Sequence, residues 1–152
     1  MQDALIWLDR FGKVCAQEVQ RKPADQRAIH EKLGARMLTG LRGNVSGMLN
    51  DAHGHVAGWQ TKYVGSGGGY AAVRAIDSST GPNSPGAITN YLENGHAIRR
   101  PRGRSPGYRP RVRVLYVSGH GFYDAYRGQL SKMLQAEVRN WGREVTSRIS
   151  GV

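Results

Sequence analysis

Seven arginines lie within residues 99–113, and no acidic residue interrupts them. They share this arginine-rich segment with three prolines, two glycines and one aromatic residue, Tyr108. The arginines are Arg99, Arg100, Arg102, Arg104, Arg109, Arg111 and Arg113. Guanidinium groups make forked hydrogen bonds to phosphates and carboxylates, and a tyrosine ring can stack on a flat partner. The segment therefore predicts a contact with a nucleic-acid backbone or with an acidic protein surface.

The positive charge of the chain is concentrated in this segment. The 152 residues include 22 Lys and Arg against 11 Asp and Glu, which gives a formal net charge of +11. The rest of the chain contains fifteen basic and eleven acidic residues, which gives a net charge of only +4. The basicity thus indicates one contact region rather than a uniformly cationic surface. Proline and glycine disfavour helix and central strand here, so a solvated loop without a partner is the remaining interpretation.

A second set of candidate residues flanks the arginine-rich segment. Glu93 is the only acidic residue over a long stretch in both directions, so we expect an ion-pair partner or a helix-end charge rather than a general base. The residues around it are aromatic, glycine or histidine, which suits a structural motif. The set consists of Tyr91, Glu93, Gly95 and His96 before the segment and Phe122 after it.

Other arrangements that carry chemistry are incomplete in this chain. The glycine-rich run at residues 65–69 is followed by Tyr70 instead of the Lys-Ser/Thr pair of a phosphate-binding loop. His53 and His55 lack the paired short spacings of structural zinc sites. Cys15 falls on an apolar helical stripe, where a thiol is usually inert, and no serine lies in a Gly-x-Ser-x-Gly turn. The sequence therefore predicts no enzyme, no metal and no cofactor.

Hydrophobic periodicity predicts helices at both ends of the chain. Residues 3–22 predict an amphipathic helix, which Pro23 ends or restarts, and a second helix follows over about residues 24–38. Three further apolar residues of the first helix lie off its main stripe, which suggests burial against another chain. They are Ile6, Trp7 and Val14. Near the other end, apolar residues from Tyr126 to Ile149 keep helical spacing for about seven turns.

The middle of the chain changes to the period of strands. After a polar, glycine-punctuated stretch over residues 39–58, two strands are expected near residues 56–63 and 70–76, with residues 65–69 as the hairpin tip. Residues 87–92 predict a helical turn or a strand, and residues 111–118 alternate as a strand does. The fold class is therefore α+β, with N-terminal helices, a small antiparallel sheet with long hairpin or arm loops, and a long C-terminal helix.

Length and composition favour a single domain over residues 1–152, with 99–113 as a projecting basic loop. The single cysteine cannot form an internal disulfide, which fits a reducing compartment. No apolar run approaches the ~20 residues of a membrane span, and the first residues do not have a signal-peptide pattern. We therefore expect a soluble intracellular protein without a membrane partner.

Several short motifs, in this order, resemble the tail-completion, or minor tail, proteins from the neck of long-tailed bacteriophages. An amphipathic helical part leads into Thr-Gly-Leu-Arg at residues 39–42. A hairpin is followed by Tyr-Leu-Glu-Asn-Gly-His at residues 91–96, and then by the arginine-rich segment. Finally a predicted strand is followed by Gly-Phe-Tyr at residues 121–123 and then by the terminal helix. The likeness covers most of the chain.

The resemblance implies a non-enzymatic ring subunit, six-fold in symmetry, where the tail joins the head. Its neighbours would be further copies of itself, a connector or stopper protein, a tail terminator or tail tube protein, and viral DNA in the lumen. The location would be the tail or neck of the virion, after assembly in the host cytoplasm. We expect the arginine-rich segment to contact protein first and DNA second. A stand-alone basic nucleic-acid-binding protein and another structural tail or capsid-side subunit remain the alternatives.

Overall fold

The computed structural model describes residues 2–98 and 116–151. Within these ranges β1 pairs with β2 and β3 pairs antiparallel with β4. The predicted α+β class is confirmed, because these short strand pairs lie in the sequence between a long N-terminal and a long C-terminal helix. The elements in chain order are α1 (Gln2–Met48), α2 (His55–Trp59), β1 (Gln60–Val64), β2 (Ala71–Ala75), α3 (Pro85–Asn94), β3 (Gly95–Ala97), β4 (Tyr116–Ser118) and α4 (Phe122–Ser150).

The chain forms two compact units. The first contains Met1–Gly40, Lys62–Arg74 and Arg127–Val152, and the second contains Leu41–Thr61 and Ala75–Tyr126. Fully buried apolar side chains are concentrated in the second unit. Among the described residues they are Leu41, Val45 and Phe122, and the less completely buried Ala57, Ala75 and Tyr126 lie in the same unit, whereas the first unit has the buried Leu33. None of the helices in the described ranges has the length and apolar character that crossing a membrane would require.

The expected helix break at Pro23 is wrong, because α1 runs without interruption from Gln2 to Met48. A proline inside a helix removes one backbone hydrogen bond and crowds the carbonyl four residues earlier, at a cost of about 3 kcal/mol. Contacts on both sides of the proline offset this cost. The guanidinium of Arg148 binds Glu18 at 2.8 Å and Asp25 at 3.0 Å, so one cation of α4 holds both halves of the helix in line.

The glycine-punctuated stretch that follows is also more helical than expected. α1 continues through residues 39–48, because Leu41 and Val45 are buried there and fix its inner face. Residues 55–59 were expected to begin a strand, and they form α2 instead. The carboxylate of Asp51 accepts the backbone N–H of Ala57 at 3.0 Å, and this hydrogen bond holds the pKa of Asp51 below its ordinary value despite partial burial. An acid that binds the amides of a first helical turn favours helix over strand.

The remaining secondary-structure predictions agree with the fold wherever they fall on described residues. The glycine run forms the hairpin tip between β1 and β2, where Gly65 N–H donates to the Tyr70 carbonyl at 3.0 Å. Residues 87–92 belong to α3, the helical alternative, and α4 confirms the long terminal helix. Of the strand expected over residues 111–118, the described part is β4.

Replacing Pro23 by alanine should stabilise the protein. The change restores an N–H donor inside α1, which stabilises the folded state. It also makes the unfolded chain more flexible, which is a smaller effect of opposite sign. We therefore expect the free energy of unfolding to rise by about 2 kcal/mol. Urea denaturation followed by circular dichroism measures the free energy of unfolding. Gln17→Ala, at an exposed site of the same helix, is the matched control and should change stability by only a few tenths of a kcal/mol. An unchanged or lower stability for Pro23→Ala would mean that the proline carries no strain.

Candidate functional site at the base of the arginine-rich segment

Both ends of the arginine-rich segment connect to one small structure in the second unit, which we call the base (residues 91–97 and 116–124). In it β3 and β4 pair with Gly95 opposite Ser118 and Ala97 opposite Tyr116. The chain therefore leaves the base and returns to it at adjacent points. The residues predicted to make contacts lie outside the described ranges. They are Arg99, Arg100, Arg102, Arg104, Tyr108, Arg109, Arg111 and Arg113.

The last four carbonyls of a helix have no hydrogen-bond partner within the helix. In α3 the base supplies a donor for each of these four carbonyls. Two of their donors are backbone amides that follow β4, namely those of His120 and Gly121. The four bonds are Gly95 N–H to the Tyr91 carbonyl, His120 N–H to Leu92 at 2.8 Å, Gly121 N–H to Glu93 at 3.1 Å, and the Tyr116 hydroxyl to Asn94 at 2.7 Å. The end of α3 is thus bonded to the chain on the far side of the arginine-rich segment.

Two glycines allow the strands to approach this closely. Gly95 has φ +78° and ψ 175°, an extended conformation with positive φ that is essentially limited to glycine. At Gly119, a Cβ atom would lie 2.6 Å from the carbonyl carbon of Glu93 and 2.6 Å from that of Asn94. Because both contacts are to backbone, no side-chain rotation could relieve them. Glycine at position 119 is therefore a requirement of the packing.

The side chain of Glu93 joins the base to α4. Its Oε2 accepts the N–H of Tyr123 at 2.9 Å, and its Oε1 accepts the N–H of Asp124 at 3.1 Å. These amides belong to the first turn of α4, where donors lack partners within the helix and the helix dipole favours an anion. The structure places Glu93 at a helix end, one of the two roles that its position in the sequence suggested. A carboxylate fixed by two amides is a structural acceptor.

A buried polar network lies behind this contact, around Gln60, whose side chain is fully buried. Gln60 Oε1 accepts a hydrogen bond from the Tyr123 hydroxyl. Its Nε2 donates to the Val56 carbonyl at 3.0 Å and to Thr89 Oγ1 at 3.3 Å. Its backbone carbonyl accepts from Arg42 at 2.8 Å. The sequence did not reveal this pair: Gln60 stands in no motif, and the Gly-Phe-Tyr motif that contains Tyr123 does not indicate a partner for its hydroxyl, because the two side chains meet only through the fold.

The other residues of the predicted structural motif also lie in or beside the base. The rings of Tyr91 and His96 have centroids 5.3 Å apart. Phe122 is fully buried, and its carbonyl accepts a hydrogen bond from Asn44 at 3.3 Å. Tyr116 and Val117 of β4 remain exposed at 53% and 41%. The motif therefore combines a buried anchor at the start of α4 with a solvent-exposed strand pair.

The described residues contain no group of three or more His, Cys, Asp or Glu side chains that could hold a metal ion. No protein-family model matches this chain, and no curated protein or solved structure is significantly similar to it. Function is therefore inferred from the base, from the composition of the segment that it anchors and from the motifs of the sequence.

Gly119→Ala should destabilise the second unit. The added methyl group meets the backbone of Glu93 and Asn94, and overpacking of this kind costs roughly 1–3 kcal/mol. Gly142→Ala in α4 is the matched control, since its Cβ would meet nothing within 4 Å and an alanine should stabilise the helix by up to about 1 kcal/mol. Thermal unfolding of both variants should give shifts of opposite sign. A Gly119→Ala variant as stable as the parent would contradict the close approach.

High pH should weaken the contact between Tyr123 and Gln60. Burial, aided by the nearby charge of Glu93, raises the pKa of Tyr123 to about 12 from the ordinary 10.0. The folded protein therefore keeps the phenol proton after the unfolded chain has released it. This contribution to stability is complete below pH 10 and is lost as the pH rises from about 10 to about 12. Denaturation midpoints measured across this range should fall more steeply in the parent than in Tyr123→Phe, and equal slopes would exclude the effect.

Proposed function

We propose that this protein is a structural subunit of a long-tailed bacteriophage virion. Copies of it form a ring at the head–tail junction, as a tail-completion or neck protein, and the ring lets viral DNA pass. Its neighbours are a connector or stopper protein on one side and a tail terminator or tail tube protein on the other. The subunit acts by assembly and not by catalysis, and the arginine-rich segment is its main contact to the next copy.

The observation that supports this proposal most is the anchoring of the arginine-rich segment at both ends. The chain around it is tied by the β3–β4 pair, by the carbonyls of α3 and by the Glu93 carboxylate. A segment with fixed ends loses less conformational freedom when it binds than a free tail does. Such an arrangement suits a contact that must form in the same geometry in every subunit of a ring.

The residue types favour an acidic protein surface as the first partner. Arginine forks bind carboxylates in pairs of parallel hydrogen bonds, and no acid within residues 99–113 competes for them. In a ring, each contact joins two different surfaces, so the segment of one subunit can meet carboxylates of the next. The Tyr-Leu-Glu-Asn-Gly-His stretch, one of the motifs that carry the resemblance, forms the first part of the base in this arrangement.

The same seven arginines also favour a second function, that of a stand-alone nucleic-acid-binding protein. If every arginine contacted a phosphate, the logarithm of the binding constant would fall with the logarithm of salt concentration at a slope of about −6. Such a protein would bind DNA as a single species in solution. Ring formation without DNA therefore separates the two functions.

Deletion of residues 101–110 tests the proposed function. The full-length protein should form rings in native mass spectrometry and in negative-stain images without added DNA. The deletion variant should form no rings and should stay folded with parental helix content, because the base keeps its own hydrogen bonds. Deletion rings of parental stability would contradict the proposal, and so would a full-length protein that is monomeric yet binds DNA with the expected salt dependence.

A variant with all seven arginines replaced by lysine is the matched control for charge. It keeps the positive charge but cannot make forked hydrogen bonds to carboxylates. Weakened rings in this variant would support paired contacts to an acidic protein surface. Rings of parental stability would show that net charge alone suffices and would contradict the forked contact.

A further inference from the structure

The positive charge outside residues 99–113 is unevenly divided between the two units. The first unit contains fourteen basic and seven acidic residues, which gives a net charge of +7. The second unit without residues 99–113 contains one basic and four acidic residues, which gives a net charge of −3. The small surplus of the rest of the chain therefore includes a second strongly basic region, and this region belongs to the first unit.

Most acidic residues of the first unit are already bound to cations within it. Five of its seven carboxylates form ion pairs with N···O distances of 3.0 Å or less. The pairs are Asp9 with Lys13, Glu18 and Asp25 with Arg148, Glu31 with Lys62, and Glu137 with Arg36. These acids are therefore held by other cations and do not neutralise the basic residues on the outer side of α4.

Three of those basic residues share one face of α4. Lys132, Arg139 and Arg143 are spaced by seven and four residues, so their side chains leave the helix within about 40° of one another at 100° per residue. All three are exposed, and no carboxylate of a described residue pairs with them. Arg143 donates to the neutral side chain of Asn140 and keeps its charge and its other donors. We call these three residues the cationic face of α4. It extends about 17 Å along the helix at 1.5 Å per residue.

The other side of α4 is directed toward α1. Glu137 binds Arg36 at 2.7 Å, and Trp141 Nε1 donates to Asp25 at 2.9 Å. Glu144 lines a small cavity with Asp25 and Trp141. Both acids of α4 within the first unit, Glu137 and Glu144, lie about 120–140° around the helix from the cationic face. The cationic face is therefore free of acids and open to solvent.

The cationic face offers charge without an apolar surface beside it. Leu134 and Val138, the exposed large apolar side chains of α4, lie more than about 100° away around the helix. An interface with another protein has an apolar core, and a helix at a membrane surface buries apolar side chains next to its cations. Neither is provided here, so the partner is one that a row of cations alone can bind.

The phosphate backbone of a nucleic acid fits such a row. Duplex DNA carries one negative charge per about 1.7 Å of its axis, so cations spread over about 17 Å meet phosphates in any register. An acidic protein would instead have to place its carboxylates at matching positions. Lysine and arginine are also the residues that contact phosphates most often.

We infer that the cationic face of α4 binds the phosphate backbone of a nucleic acid without reading its sequence. Three phosphate contacts contribute about 2.7 to the slope of the logarithm of the binding constant against the logarithm of salt concentration. In the proposed ring the nucleic acid is the viral DNA that passes through it. The contact belongs to a single subunit, so the inference does not require ring formation.

Binding of the full-length protein to duplex DNA of about 20 base pairs, followed by fluorescence anisotropy across a salt series, tests this contact. A variant with Lys132→Gln, Arg139→Gln and Arg143→Gln should have a salt slope less steep than the parent by about 2.7, whatever residues 99–113 contribute. Glutamine is a good helix former, so helix content should stay parental. Arg10→Gln, Lys22→Gln and Lys32→Gln together are the matched control, because they remove the same charge from exposed sites on α1 and should leave the slope near that of the parent.

A parental salt slope in the α4 variant would overturn the inference. An equal loss of slope in the α1 control would overturn it too, because the effect would then follow net charge and not this face. Polyglutamate is the probe for an acidic protein surface. The α4 variant should lose less affinity for polyglutamate than for DNA, and an equal or larger loss would overturn the choice of nucleic acid.

Ring formation without DNA is measured on the same variants and separates this inference from the proposed function. The α4 variant should form rings as the parent does. A parent that forms no rings would contradict the proposed function, while the difference in salt slope would still test the cationic face. Rings of parental stability together with a parental slope in the α4 variant would overturn this inference alone.

Discussion

The carboxylate of Glu93 is the contact on which the base depends. Its two oxygens accept the amides of Tyr123 and Asp124, while its own backbone carbonyl accepts the amide of Gly121. One residue at the end of α3 therefore fixes the chain just before α4 and also fixes the first turn of α4. Residues 99–113 lie in the sequence between Glu93 and these partners, so the points at which the chain leaves the base and returns to it are tied together by this residue.

The network around Gln60 makes the contact rigid. Tyr123 offers its amide to Glu93 and its hydroxyl to Gln60, so one residue of α4 is held at both of its polar groups. Buried polar groups that are all paired favour a single arrangement, since any displacement leaves one of them without a partner. In the proposed ring, this rigidity would let each subunit present its cationic segment at the same angle.

The sequence predicted those elements whose cause lies in neighbouring residues, and it failed where the cause is a contact between distant parts of the chain. The hairpin at Gly65 and the stripe of α4 followed from local spacing, and both were found. The continuity of α1 through Pro23 depends on Arg148, which lies far away in sequence, so a local rule for proline gave the wrong result. α2 replaced a strand because of the Asp51 carboxylate. The isolated acid Glu93 stood out in the sequence, whereas Gln60 had no pattern that could have revealed its partners.

The base thus ties a cationic segment, residues 99–113, to the second unit at both of its ends. Hydrogen exchange at the start of α4 tests most directly whether Glu93 holds the base. In Glu93→Gln the amides of Tyr123 and Asp124 should exchange roughly tenfold faster, because an amide side chain has one acceptor oxygen and no charge. Glu144→Gln, at an exposed site on α4, should leave both rates unchanged. Parental exchange rates at Tyr123 and Asp124 in Glu93→Gln would contradict the account.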